Sequence, residues 1–134
     1  NDPEKLKQLE DIIHPLVKES EQVFLQDCRE KGLPFAVLDI PLLYETGAVK
    51  RVDVTFCVSA PKDIQRARVL KRPGMTEEKF ENILKRQVPD AEKRKKADFV
   101  ITTDVSLEDT KEQLYRAIEK LKGTPCQKSL KNTP

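Results

Sequence analysis

The chain has no tryptophan, two tyrosines, five phenylalanines, one histidine and one methionine among its 134 residues. So thin an aromatic supply argues against a single-strand nucleic-acid binder, which stacks bases on exposed rings. Three cysteines, Cys28, Cys57 and Cys126, form no Cys-x-x-Cys pair and are odd in number. That excludes a disulfide framework or a zinc site of the usual spacing and suits a reducing cytoplasm, the expected location. No run of about 18 apolar residues is present to span a bilayer. The opening Asn1-Asp2-Pro3-Glu4-Lys5 lacks the basic and apolar regions of a signal peptide, and it has no initiating Met. A surplus of one charge is missing too, since 25 Lys and Arg against 23 Asp and Glu leave +2. The balance announces neither a nucleic-acid nor a membrane partner, although basic residues gather between Arg66 and Lys96.

What is present is led by Phe35-Ala36-Val37-Leu38-Asp39-Ile40-Pro41-Leu42-Leu43-Tyr44-Glu45-Thr46-Gly47, an apolar strand that stops at a proline and opens into a short acidic loop. Uninterrupted apolar strands are typical of parallel sheets covered on both faces, and ligands in such sheets sit beyond the carboxyl ends of the strands. At 37% hydrophobic against 36% charged, the core is either modest or incomplete.

Along the chain, Asp2 and Pro3 open an amphipathic helix carrying Leu6, Leu9, Ile12 and Ile13. His14-Pro15 predicts a kink or restart, because proline lacks the helix donor and disfavours helical geometry before it. A second stretch carries Leu16, Val23, Phe24 and Cys28 to a left-handed ending at Gly32. Strands are expected at residues 35–40, 52–58 and 97–102. A helix capped at Ser59 or Ala60, with Pro61 at its first position, runs to Arg72; Thr76 opens another through Gln87. Ser106-Leu107-Glu108-Asp109 resembles a capping box for a last helix, on which Leu107, Leu114, Ile118 and Leu121 share a face and which Gly123 ends. Residues 124–134 form a polar tail. The order of elements gives an α/β layer fold with about three visible strands, fewer than an ordinary sheet.

The runs Asp39-Ile40-Pro41-Leu42-Leu43-Tyr44-Glu45, His14-Pro15, Gln65…Arg68…Arg72, Arg86-Gln87 and Lys93-Arg94…Ala97-Asp98-Phe99-Val100-Ile101 stand in the order and spacing of bacterial dephospho-coenzyme A kinases. The resemblance spans about residues 2 to 122 and implies a P-loop-kinase-like three-layer α/β fold with a parallel sheet. It divides the chain into a helical substrate region at 1–33, core strands at 34–60, lid helices at 61–96, a core strand with the last helix at 97–123, and the tail. The implied reaction is ATP-dependent phosphorylation of the ribose 3′-hydroxyl of dephospho-coenzyme A, with ATP and Mg²⁺ taking part. The family's G-x-x-x-x-G-K-[ST] loop, whose amides cradle the phosphates, has no counterpart here, because none of Gly32, Gly47, Gly74 and Gly123 precedes a Lys. The chain therefore looks like the carboxyl-terminal two-thirds of such an enzyme, its catalytic group expected upstream and its activity as written lost. Missing strands would leave sheet edges open to association.

Arg68 and Arg72 lie four apart, so one helical face can present two guanidinium groups to a triphosphate. Arg86 is expected to close from the other side as part of the lid; the bland alternative is that all three merely solvate exposed helices. Leu43, Tyr44 and Glu45 are candidates for an acceptor wall, against their reading as core residues of a proline-terminated strand. The resemblance places His14 in the acceptor region, though a lone histidine is more often a packing residue. Thr102 and Thr103 follow the third strand where related kinases hold adenine, and an Asn-Asp-Gly-like turn of the family is replaced there. Asp39 is a weak candidate for holding Mg²⁺, and no other metal ligand is expected. The competing class is a non-catalytic basic helical adaptor or nucleic-acid-binding module, whose affinity would fall steeply with salt.

Overall fold

The computed structural model describes residues 3–122. By its contacts the chain forms two units, Asn1–Asp39 and Ile40–Pro134. The division falls within residues 35–40, the run expected to be a strand.

The first unit is one helix, α1 (Pro3–Glu30), followed by an irregular stretch. The restart expected at His14-Pro15 is not there, because Pro15 lies inside 28 continuous helical residues. Proline removes one backbone donor, and the intact turns on either side carry the helix through. The ending at Gly32 is as expected: Gly32 has φ 62°, its N–H donates to Arg29 O at 3.0 Å, and the Leu33 N–H donates to Cys28 O at 3.0 Å. These paired bonds satisfy carbonyls that the last turn leaves open. Cys28 is buried, whereas Leu9, Ile12, Leu16 and Val23 are exposed along the helix.

Residues 35–40 form no strand, which corrects the first of the three expected. A strand needs a ladder partner as well as apolar propensity, and among the described residues this stretch shows no backbone bond.

The second unit is built on two strands, β1 (Phe56–Ser59) and β2 (Phe99–Thr102), paired in parallel with Phe56 opposite Phe99 and Ser59 opposite Thr102. Both are shorter than expected. Between them run α2 (Lys62–Leu70), α3 (Glu77–Leu84) and α4 (Asp90–Lys96), and α5 (Leu107–Lys122) follows β2. Such a crossover is what parallel pairing of two strands requires. Helix α5 packs on β2, α4 on β1, and α2 on α3.

Several helix ends follow local chemistry. Thr76 caps α3 by accepting from the Lys79 N–H at 3.3 Å, and Ser106 accepts from the Asp109 N–H at 3.1 Å at the start of α5. Helix α2 departs from expectation at both ends. Pro61 itself is the cap, with no side-chain bond, and the helix stops at Leu70 with Lys71 as its C-cap. Arg72 therefore lies beyond the helix rather than on one face with Arg68. Helix α3 likewise stops at Leu84, short of Gln87. The expectations for Gly123, the tail and Cys126 lie outside the described residues.

The core is small: Ala48, Cys57, Phe80, Ile101 and Ala117 are buried in this unit. The shared apolar face expected on α5 is only partly covered, since Leu107 and Leu114 are exposed while Ile118 and Leu121 are half-buried. The Phe56 and Phe99 rings stack across the pair with centroids 5.0 Å apart. Val58, on the strand face opposite Cys57 and Ser59, is 68% exposed, so among the described residues that face of β1 is left uncovered at Val58. At the strand starts, Asp98 Oδ2 accepts the Thr55 N–H and hydroxyl, both at 2.8 Å, and the Asp98 N–H donates back to Thr55 Oγ1 at 3.1 Å.

Candidate active site at the strand tips

At the carboxyl ends of β1 and β2 the backbone continues its pairing for one more step. The Thr103 N–H donates to Ser59 O at 2.9 Å, and the Thr103 hydroxyl donates to the same carbonyl at 3.2 Å. Arg68, projecting from α2, reaches this point and donates to Thr103 Oγ1 at 2.9 Å and to Thr103 O at 2.6 Å. Two residues singled out for the nucleotide, Arg68 and Thr103, are thus in direct contact. Parallel strands put their carboxyl ends on one side, which is where α/β sheets take ligands.

The neighbouring groups are already engaged. Buried Ser59 donates its hydroxyl to Asp90 Oδ2 at 2.8 Å, linking β1 to the start of α4. Thr102 is occupied by Gln113 of α5: its N–H and hydroxyl donate to Gln113 Oε1 at 3.0 and 3.1 Å, and its carbonyl accepts from Gln113 Nε2 at 3.2 Å. Thr103, not Thr102, is therefore the threonine at this tip that Arg68 addresses. Burial, reinforced by the Asp90 carboxylate, pushes the Cys57 thiol up against the opposing pull of Lys93 and Arg94, so it stays a thiol at neutral pH.

A second cluster forms where the loop after Ile40 meets the segment after α3. Glu45 Oε1 accepts the Val88 N–H at 2.7 Å and faces the Lys93 ammonium at 3.0 Å, with 13% of the glutamate side chain exposed. Burial raises the carboxyl's pKa, but the backbone donor at Glu45 itself, the Lys93 ammonium and the Val88 N–H together outweigh it, and the net shift is downward. Tyr44 OH and Glu45 Oε2 are buried without a partner among the described residues. Leu43 and Tyr44 are half-buried beside them. Glu45 thus sits in a fold-internal ion pair, a use that local reading missed because Val88 lies 43 residues away.

Arg86 lies in the turn after α3 and, with Pro41, Leu42, Ile83 and Gln87, lines a cavity of about 300 Å³. Arg72 is exposed. His14 is exposed on α1, and Asp39 is exposed at the end of the first unit. Among the described residues no group of three or more His, Cys, Asp or Glu side chains could hold a metal ion. No helix of the described residues is long and apolar enough to cross a membrane.

A family model described as dephospho-CoA kinase matches residues 1–109. The chain belongs to the dephospho-CoA kinase family. It is 54% identical over 124 residues to a dephospho-CoA kinase of Brucella melitensis, covering 92% of this chain and 62% of the relative. A dephospho-CoA kinase of Agrobacterium fabrum is 52% identical over 119 residues, covering 89% and 61%. Among solved structures, TT1252 from Thermus thermophilus is similar with a TM-score of 0.71 and 35% identity, covering 90% of this chain and 62% of that one. Dephospho-CoA kinase from Campylobacter jejuni gives a TM-score of 0.61 at 29% identity, covering 92% and 61%. The chain therefore spans about three-fifths of the length of the dephospho-CoA kinases it matches. The α/β architecture with parallel strands agrees with these neighbours, and the resemblance drawn from the sequence motifs is correct at the level of the family.

Proposed function

We propose that the protein carrying this chain is a dephospho-CoA kinase, which moves the γ-phosphoryl group of ATP to the 3′-hydroxyl of dephospho-CoA. A new P–O bond forms at the 3′-oxygen, the bond to the β-phosphate oxygen breaks, ADP leaves, and the hydroxyl proton is released. The observation that carries this reading is the family match over residues 1–109, joined to the meeting of Arg68 and Thr103 at the strand tips.

In this reading Arg68 is drawn to the nucleotide. Its guanidinium is planar and permanently charged, and it holds Thr103 through exposed contacts that a phosphate oxygen can replace. Arg72, exposed just beyond the same helix, joins it on the triphosphate as the lid closes. Phosphoryl transfer depends mainly on positioning and charge neutralisation, so such cations contribute without forming covalent bonds. His14, Leu43 and Tyr44 belong to the acceptor side of the proposal. Mg²⁺ enters it as the counter-ion that ATP brings. Cytoplasmic residence belongs to the same reading.

The test is incubation of the whole protein with ATP and dephospho-CoA, followed by mass analysis of the product. A gain of one phosphate at the 3′ position, dependent on ATP, is the expected result. Absence of that product, or phosphate on another position, overturns the reading.

A further inference from the structure

The cavity between the loop after Ile40 and the turn after α3 has walls of two chemical kinds. Pro41, Leu42 and Ile83 are apolar, whereas Arg86 brings a fixed cation and Gln87 an amide. Its volume of about 300 Å³ is at the small end of ligand pockets.

Both walls are built rather than incidental. On the loop side, Leu42 has φ 58°, in the left-handed region that a bulky side chain seldom adopts. Its carbonyl accepts from both the Thr46 N–H at 3.0 Å and the Thr46 hydroxyl at 2.9 Å, which hold it there. On the other side, the chain leaves α3 through successive tight bonds, with the Arg86 N–H donating to Ile83 O and the Gln87 N–H to Leu84 O, both at 3.1 Å. Glu45 joins the two walls through the Val88 N–H and the Lys93 ammonium. A residue held in an unfavourable backbone region by such surroundings is a recognised mark of ligand-contacting segments. The Arg86 side chain has no hydrogen-bond or ion-pair partner among the described residues, so its charge is available.

A ligand that satisfies this cavity needs an anionic group next to a flexible arm with apolar and amide segments. ATP offers anions without such an arm. Dephospho-CoA offers both, because a diphosphate joins its adenosine to the pantetheine arm. We propose that this cavity receives the acceptor's arm, with Arg86 on the adjoining diphosphate and Pro41, Leu42 and Ile83 along the arm, an assignment that rests on the kinase reading for the identity of the ligand. Arg86 then serves the acceptor rather than the ATP phosphates. Glu45 is a positioning residue that keeps the two walls together.

The experiment uses the whole protein, wild type and with Arg86→Gln or Ile83→Asp, in steady-state kinetics and in calorimetric titration with 4′-phosphopantetheine, the arm with one phosphate. Each substitution is expected to raise KM for dephospho-CoA and Kd for 4′-phosphopantetheine about tenfold, with kcat and KM for ATP held within about twofold. A rise confined to KM for ATP, or no change in either acceptor constant, overturns the assignment. If the wild type shows no kinase activity yet binds 4′-phosphopantetheine through Arg86 and Ile83, the kinase reading fails and the cavity stands. If the wild type phosphorylates dephospho-CoA but neither variant alters acceptor binding, the cavity assignment fails alone. The circular dichroism spectrum checks that both variants fold, and Arg86→Lys, which keeps the charge, is expected to recover part of the affinity.

Discussion

The two ends of the β1–β2 pair are held together in opposite ways. At the amino ends, Thr55 and Asp98 close on each other, with the carboxylate accepting two bonds at 2.8 Å and the Asp98 N–H returning a third. At the carboxyl ends, cohesion is lent by side chains from three helices: Arg68 of α2 on Thr103, Asp90 of α4 on Ser59, and Gln113 of α5 on Thr102. The first arrangement ties the two strands to each other directly. The second gathers charged and polar groups from three separate helices, and the Arg68 contacts among them are exposed. The difference teaches where stability and function part company in so small a sheet.

The comparison breaks most readily at the amino ends. Asp98→Ala strips the Thr55 N–H and hydroxyl of their acceptor next to buried Thr55, so unfolding in urea should show a loss of about 2–3 kcal/mol. Arg68→Ala should do the reverse, raising KM for ATP about tenfold while the melting temperature holds within about 2 °C, because its contacts are exposed. Ser59→Ala removes one bond to Asp90 and should cost about 1 kcal/mol in the same urea titration. Were it to cost as much as Asp98→Ala, the contrast between the two ends would be wrong.

The smallest effect is a pH dependence at Glu45. Its carboxyl pKa is depressed in the folded chain, so its contribution is fully present above the ordinary value of 4.5 and is lost as pH falls through the lower folded value. Glu45→Gln should therefore be slightly less stable than wild type at pH 7, with the gap closing below pH 4.5. Parallel stability curves across that range would show that the Lys93 pair contributes nothing.

Local chemistry made much of this fold readable. Gly32, Thr76 and Ser106 end or begin helices for reasons contained within a few residues, and each does so in the structure. Pro15 misled because a proline's penalty is local and a helix of 28 residues absorbs it. Residues 35–40 misled for the opposite reason: their strand propensity is real, but pairing belongs to a partner the run does not contain. The motifs singled out Arg68 and Thr103 separately and gave no sign that they would touch, and the engagement of Glu45 by Val88 and Lys93 depends on the crossover and had no local signal. Gln113 was overlooked because a glutamine on a helix gives no hint that its amide will face strand backbone.

That glutamine has a consequence for solution behaviour. By offering one oxygen and one nitrogen to the N–H and carbonyl of Thr102, its amide imitates the backbone of a further strand and caps the outer flank of β2. At Thr102 the flank is thereby closed to an incoming strand at little cost in chain length. Replacing Gln113 with leucine would uncap those groups and turn the flank into a template on which other chains can add, so the variant should form fibres under conditions where the parent stays dispersed.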